Sequence, residues 1–280
     1  MAEELRASIL VKKLIKCLEQ EGMADVPART LVRLKEIMAI RTPLNIEGLS
    51  VSMLVNSDTE YTRAAKVKET WTIEWVRALP DGAVLYDVGA NVGTVALAAA
   101  AGRNEAIQVV AIEPAFENYA SLVRNIMING MSDCVSALPV GLAGRSLVAP
   151  LRYQNLDPGG ALHAFGDIID LKPERSTVPV FSHACLSYRL DDLVAMEGLP
   201  FPTHIKIDVD GGEGEVLAGA ERTLADRRLR GMQVEVVDFD GSHAQSHIIK
   251  EIVIAHGFQV VGELHHNEGF PRVTDFQFAR

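Results

Sequence analysis

The run Val84-Leu85-Tyr86-Asp87-Val88-Gly89-Ala90-Asn91-Val92-Gly93 constrains the fold of this chain more than any other stretch. A strand-like apolar segment passes through a glycine turn into a helix-like apolar segment. The next apolar run ends in an acid, Glu113, twenty residues beyond Gly93. Strand, glycine turn, helix, strand, acid is the layout of a nucleoside-binding α/β fold. The glycines let the chain turn tightly and approach a ligand with no Cβ in the way. A carboxylate at the second strand tip can accept hydrogen bonds from both hydroxyls of a ribose.

The spacing narrows the nucleoside. A dinucleotide site asks for G-x-G-x-x-G, which seats a pyrophosphate on bare amides at a helix N-terminus. Here the run is Asp87-x-Gly89-x-Asn91-x-Gly93, and the third glycine of the dinucleotide spacing falls at Thr94. An acid at the strand tip repels a pyrophosphate. It suits a ligand with a cationic amino-acid end and no phosphate, which is the character of S-adenosylmethionine rather than of NAD or FAD. In the plainer reading Asp87 is a helix cap and the glycines serve packing. That accounts for one acid and leaves Glu113 unexplained.

With 280 residues and 48% hydrophobic composition, the chain can build one good core and a small extra element. A net charge of −10 and a pI near 5.3 argue against a nucleic-acid backbone as the main partner. The short cluster Arg227-Arg228-Leu229-Arg230 reads as a solvated helix end, where positive charge is favourable. Cys17, Cys134 and Cys185 are odd in number and scattered, which favours a reducing compartment and a cytoplasmic location. The N-terminus is acidic where a signal peptide is basic. No apolar stretch approaches the ~20 residues of a membrane span, so no membrane partner is expected.

Periodicity predicts helices over 3–21, from Pro27 to before Pro43, and over 59–79, with a loop and a short ordered piece over 41–58. Residues 1–78 are thus expected to form a helical extension, either covering the substrate mouth or serving as a homo-oligomer surface. Residues 79–280 are expected to form the ligand-binding domain. Its strands are predicted at 83–88, 107–112, 134–140, 203–209, 232–237, 258–262 and 273–279, with helices at about 92–102, from Pro114 to Asn129, at 213–227 and at 243–256. The last two strands read as an antiparallel hairpin at the sheet edge. The expected sheet is therefore mixed and seven-stranded, with an antiparallel last strand. Residues 143–182, with Gly159-Gly160 and scattered prolines, read as an insertion of short strands or loop crossing near the ligand side.

Four blocks carry a family resemblance. They are Tyr86–Gly93, Ala111–Gly130 with its Ile112-Glu113-Pro114, Leu190-Asp191-Asp192-Leu193, and the distinctive Ile205-Lys206-Ile207-Asp208-Val209-Asp210-Gly211 followed by Glu213-Gly214-Glu215-Val216-Leu217-Ala218-Gly219-Ala220. Over about residues 83–280 the chain resembles the FkbM-type family of class I S-adenosylmethionine-dependent methyltransferases. The resemblance implies a Rossmann-like α/β fold, S-adenosylmethionine as methyl donor, and O-methylation of a hydroxyl on a small molecule such as a sugar or polyketide. The donor-binding set it implies is Asp87, Gly89, Ala90, Asn91, Gly93, Glu113, Pro114 and Asn125. In that set Asp87, Gly89 and Asn91 line the methionine side and Glu113 holds the ribose. Asn125, with Asn129, braces the following helix and the strand-tip loop. Two departures stand out. Position 210 is Asp where the family usually has Glu. The loop Gly141-Leu142-Ala143-Gly144 offers no evident side-chain acceptor for the adenine amine.

Methyl transfer from a sulfonium is an in-line displacement that needs alignment and a dry site. An alcohol acceptor also has to lose a proton. Lys206 and Asp208 alternate on one strand face, joined by Asp210 if the strand persists that far, while Ile205, Ile207 and Val209 face the core. Asp208 is the first choice for base or acceptor holder, with Lys206 and Asp210 beside it. The plainer reading of Asp208 is a salt bridge with Lys206. The resemblance requires no metal. An alternative is a catechol-type, Mg²⁺-dependent O-methyltransferase using Asp208, Asp210, Glu235 and Asp238. His243 and His247, spaced i,i+4, read as a solvent-facing pair before a base, and His265-His266 has no partner legible in the sequence. Two further alternatives are a nicotinamide or flavin oxidoreductase and a non-catalytic donor-binding regulatory module.

Overall fold

The computed structural model describes residues 16, 27–37, 40–67, 69–103, 106–161, 163–165, 179–238, 244–266 and 273–280. Its chain contacts divide it into Met1–Ile40 and Arg41–Arg280. In the first unit, helix α1 (Ala28–Ile37) opens on the Pro27 carbonyl, which accepts the amides of Thr30 and Leu31. The helix expected over 3–21 lies outside the described residues, apart from a helical Lys16.

Two short paired strands, β1 (Ile40–Pro43) and β2 (Ser52–Val55), stand where a loop with a short ordered piece was expected over 41–58. The amides of Ser52 and Leu54 on β2 are held by Asn129 Oδ1 (3.0 Å) and Asn125 Oδ1 (2.8 Å). These two side chains give the segment an extended edge that its own composition does not announce. The single helix expected over 59–79 is two helices, α2 (Asp58–Ala65) and α3 (Thr70–Arg77). Ser57 caps the first by accepting the Glu60 amide. Lys66 then leaves the helical region at φ −129°.

The central sheet is built from β3 (Ala83–Val88), β4 (Ile107–Ile112), β5 (Val135–Leu138), β10 (His204–Ile207), β11 (Gly231–Val237), β12 (Gln259–His266) and β13 (Val273–Ala279). Its order is β12-β13-β11-β10-β3-β4-β5. The pairs among β5, β4, β3, β10 and β11 are parallel, and β13 runs antiparallel to both β11 and β12. This is the mixed seven-stranded sheet expected from the sequence, with the last strand antiparallel. That last strand lies inside β12 rather than at the margin.

Helices α4 (Thr94–Ala100) and α5 (Phe116–Ile128) follow β3 and β4. Ala96, Leu97, Ala99 and Leu122 pack with Ile73 and Val76 of α3 in one core. The other core joins Tyr86, Val88, Ile205, Ile207 and Val234 to α7 (Glu213–Ala218), α8 (Glu221–Ala225) and α9 (Ala244–Ala255) through Val216, Leu224, Ile249 and Val253. The helix expected over 213–227 is thus broken. Asp191, at the start of the short helix α6 (Leu190–Val194), is the cause. Its buried carboxylate accepts the amides of Arg222 (3.0 Å) and Thr223 (2.8 Å) and the Thr223 hydroxyl. Burial alone would raise its pKa, but these donors hold it below the usual value. A new helix start is fixed there.

Between β5 and α6 the chain builds a second sheet of four strands, β6 (Gly141–Leu142), β7 (Leu147–Tyr153), β8 (Ala164–Phe165) and β9 (Phe181–Tyr188), ordered β6-β9-β7-β8. Among the described residues, no helix is long and apolar enough to cross a membrane.

Candidate active site

Register and alternation put a polar ladder on one face of the central sheet. Asp87, Lys206, Gln233 and Gln277 stand side by side across β3, β10, β11 and β13. One residue further, Val88, Ile207, Val234 and Phe276 point to the opposite, apolar face. One residue beyond that, the polar face returns with Asp208, just past the end of β10, and with the paired Glu235 and Asp275. Thr72 of α3 covers this face, accepting from Gln233 Nε2 at 2.5 Å, and Gln277 donates to Gln233 in turn.

Lys206 is the cation of this ladder. Its Nζ lies 3.0 Å from Asp208 Oδ2 and 3.7 Å from Asp87 Oδ1, with its side chain 5% exposed. Burial works against its charge, but Asp208, Asp87 and Glu69 outweigh that and hold its pKa above the ordinary lysine value. Asp87 is completely buried, and neither carboxylate oxygen has a hydrogen-bond partner. Burial, opposed by Lys206, raises its pKa. Glu69, at the start of α3, is also pushed up by burial, with Lys206 opposing. Nothing in the sequence marked Glu69, because the break between α2 and α3 that carries it to this face is a tertiary feature.

The turn after β3 packs directly against the loop after β10. Gly89 has φ +80°, and a Cβ there would lie 1.8 Å from the Asp208 carbonyl oxygen, so both conformation and space require glycine. Ala90 and Gly89 donate their amides to the Ile112 carbonyl, which ties the first strand tip to the second. At that second tip Glu113 is 5% exposed. Its Oε2 accepts the Asn91 amide (2.8 Å) and its Oε1 the Ala115 amide (2.9 Å), across the Pro114 turn. Burial pushes its pKa up to about 7 against those two donors. The Asn118 side chain also favours the charged form of Glu113, and a carboxylate has about four acceptor positions, which leaves capacity for an incoming hydroxyl.

Asn91 donates from Nδ2 to the Gly160 carbonyl (2.9 Å), and Asn118 does the same (3.0 Å) while accepting the Gly159 amide. The 155–160 loop of the second sheet therefore reaches the strand tips. Gly93 opens α4 at φ +96°. Asn125 is fully buried and used at both ends, donating to the Val92 carbonyl (2.9 Å) and accepting from Leu54. Its geometry is that of a brace between the glycine turn and β2.

Strand β10 ends at Ile207, so Asp210 does not share its alternation. It sits in the following turn at φ +57°, where its charge is felt by Glu113. That turn is held by Glu213, whose Oε1 accepts the amides of Val209 and Gly211 and whose pKa burial pushes up to about 7. Glu213 belongs to the fourth sequence block, and its anchoring role became visible only with the loop folded back.

Of the four acids named for a metal, Asp238 is engaged at the start of α9. It accepts the amides of Gln245 and Ser246 and the Ser246 hydroxyl. Asp208 faces Lys206. Glu235 lies instead beside Asp275 and His266, whose Nε2 is 2.8 Å from Asp275 Oδ2. His265 pairs with Thr274, so both histidines of the final hairpin have partners. His247 is 72% exposed against Glu251, and His243 lies outside the described residues. A cavity of about 460 Å³ opens between α2, the 66–69 linker and the first residue of α4. Its wall includes Arg63, Lys66, Glu69 and Thr94.

The sequence matches the Methyltransferase FkbM domain over residues 87–266. It is similar to 31-O-demethyl-FK506 methyltransferase FkbM of Streptomyces tacrolimicus, with 28% identity over 66% of this chain and 76% of that one. It is also similar to the hexuronic acid methyltransferase AglP of Haloferax volcanii, with 29% identity over 66% of this chain and 72% of that one. A third relative, AMB antimetabolite synthetase AmbE of Pseudomonas aeruginosa, is 27% identical over 76% of this chain, which spans 11% of that protein's length. Among solved structures, methyltransferase FkbM from Methylobacillus flagellatus aligns with a TM-score of 0.46 and 14% identity over 80% of this chain and 56% of that one.

Proposed function

Because the chain belongs to the methyltransferase FkbM family and is an S-adenosylmethionine-dependent methyltransferase, we propose that it methylates a hydroxyl of a small molecule, a sugar or polyketide being the class the curated relatives suggest. The observation that carries this reading is the meeting of Asp87, Glu113 and the Lys206–Asp208 pair at the carboxyl ends of three adjacent parallel strands. Open α/β sheets bind ligands at such ends.

The residues fit the donor. Asp87, buried and 3.7 Å from Lys206, carries the negative charge that complements an ammonium group. Glu113 complements a ribose diol through the acceptor capacity its carboxylate keeps beside the Asn91 and Ala115 amides. Gly89, Ala90, Asn91 and Gly93 form the turn between them, and Pro114 sets the path of the chain after Glu113. Bound there, the donor supplies an activated methyl group on a sulfonium. Asp208 accepts or orients the acceptor proton, and Lys206, 3.0 Å from it, holds its carboxylate in place and offsets charge developing on the acceptor oxygen. Asp210, set on the turn beside Glu113, acts on the donor side rather than as a base.

The test is titration and transfer. S-adenosylhomocysteine should bind more tightly than NAD, and a labelled methyl group should pass from donor to a hydroxyl in an acceptor panel. Asp208→Asn should leave donor affinity within a few-fold and lower turnover by ~10² or more. Tighter binding of NAD would sink the donor assignment. Normal turnover of Asp208→Asn would remove Asp208 from the chemistry.

A further inference from the structure

Beyond the methyl-transfer reading, we propose that Glu235, Asp275 and His266 form a site for one divalent transition-metal cation of the Mn²⁺ or Zn²⁺ class. The three side chains come from three adjacent strands, β11, β13 and β12. Glu235 and Asp275 are register partners. Leu264 is the register partner of Asp275 on β12, and His266, two residues on, therefore projects from the same face. One ligand atom from each lies within 4.8 Å of the others. The donors are thus set by strand register rather than by mobile surface chain.

Their surroundings lack something a cation would supply. Carboxylates directly opposite one another across a ladder repel. Asp275 is only 6% exposed, and its single side-chain hydrogen bond among the described residues is to His266. Glu235 has no side-chain hydrogen bond among the described residues, and Lys206 makes its ion pairs with Asp208 and Asp87 instead. The two facing carboxylates, one of them buried, take no hydrogen bond from outside the group among the described residues; Lys206 makes no ion pair with either. An imidazole beside them selects against Mg²⁺ and Ca²⁺ and for first-row transition ions. His266, with its side chain 41% exposed, leaves one side of the site open to solvent. On the reading above, a cation there would act as a Lewis acid on the polar face of the sheet that carries Asp208.

Mn²⁺ titration of the chelator-stripped full chain, followed by electron paramagnetic resonance and calorimetry, tests the site. One saturable Mn²⁺ per chain is expected, displaced by Zn²⁺. Glu235→Gln and His266→Ala should each weaken binding at least ~10-fold, the scale on which even supporting residues act at metal sites. Asp192→Asn, an exposed acid paired with Ser146 and Arg222, should leave binding unchanged. His266 is exposed enough for its substitution to spare the fold, and circular dichroism of each variant checks this. Absence of saturable binding in the intact chain overturns the proposal, as does binding that survives both Glu235→Gln and Asp275→Asn. S-adenosylhomocysteine titration of the same sample reports separately on the donor site, so the two readings fail independently.

Discussion

The two faces of the central sheet carry opposite chemistry on the same strands. On one, Ile205, Ile207, Val234 and Val236 are buried against α7, α8 and α9. On the other, one residue out of step, Lys206, Asp208, Gln233 and Glu235 line up between Asp87 and Asp275. The apolar face is stabilised by area removed from water, a term that is insensitive to pH. The polar face depends on one lysine compensating several carboxylates, and this makes it sensitive to both pH and ligands. The polar face lies at the strand ends where a ligand can enter. There its cost in stability serves binding.

The strongest way to break the comparison is Lys206→Met. Removing one partner of a buried ion pair costs about 3–5 kcal/mol. Here Asp87 would be left without its cation. Urea unfolding at pH 7.5 should show that loss. At pH 5 the loss should shrink, because burial has already raised the Asp87 pKa and protonation relieves the orphaned charge. An equal loss at both pH values would mean that Lys206 stabilises by packing alone.

Glu113 gives the next largest effect. Its folded pKa of about 7 stands above the ordinary glutamate value of 4.5. A raised carboxyl pKa means that the native state holds a proton that the unfolded state has released. Stability therefore falls as pH rises from about 4.5 to about 7, by about 3 kcal/mol at 1.36 kcal/mol per unit, and is level above. Glu113→Gln should flatten that slope in thermal melts of the donor-free protein. It should also weaken donor binding about tenfold to a hundredfold, the loss of a charge-assisted acceptor worth roughly 1.5–3 kcal/mol. In the unmodified protein, donor affinity should rise with pH through neutrality as the carboxylate forms. Affinity that ignores both pH and the substitution would show that Glu113 does not meet the ribose.

The smallest effect sharpens the contrast from the apolar side. Ile207→Val, at a position 1% exposed, should cost about 0.5–1.5 kcal/mol. The cost should be the same at pH 5 and pH 7.5, with donor affinity unchanged. A pH-dependent cost would mean that the two faces are coupled more tightly than alternation allows.

Much of this was legible in the sequence because it is local. The glycine run and Glu113 lie within one βαβ unit, whose geometry is set by short-range turns. Alternation in Ile205-Lys206-Ile207-Asp208 assigned each side chain to its face. It does not extend to Asp210, whose place on that face depended on a longer strand: β10 stops at Ile207 and the chain turns through a left-handed residue. The single helices expected over 59–79 and 213–227 are each two. In the second case the break is made by Asp191, some thirty residues earlier, which takes the amides of a new helix start. Periodicity is continuous through that break and carries no trace of it. Residues 41–58 read as loop with only a short ordered piece because the partners of Ser52 and Leu54, Asn129 and Asn125, lie more than seventy residues away.

The sequence by itself determined the order of the seven strands of the central sheet along the chain, the glycine turn, the acid at the second strand tip and the family, all of which rest on spacing within short segments. The tertiary structure decided what each charged group meets. Register across β3, β10, β11, β13 and β12 brought Lys206 to Asp87, and Glu235 to Asp275 and His266. The break before α3 delivered Glu69 to the same face. Such meetings depend on which strands become neighbours. Neighbours distant in the chain are chosen by the packing of the whole sheet, which no window of sequence contains.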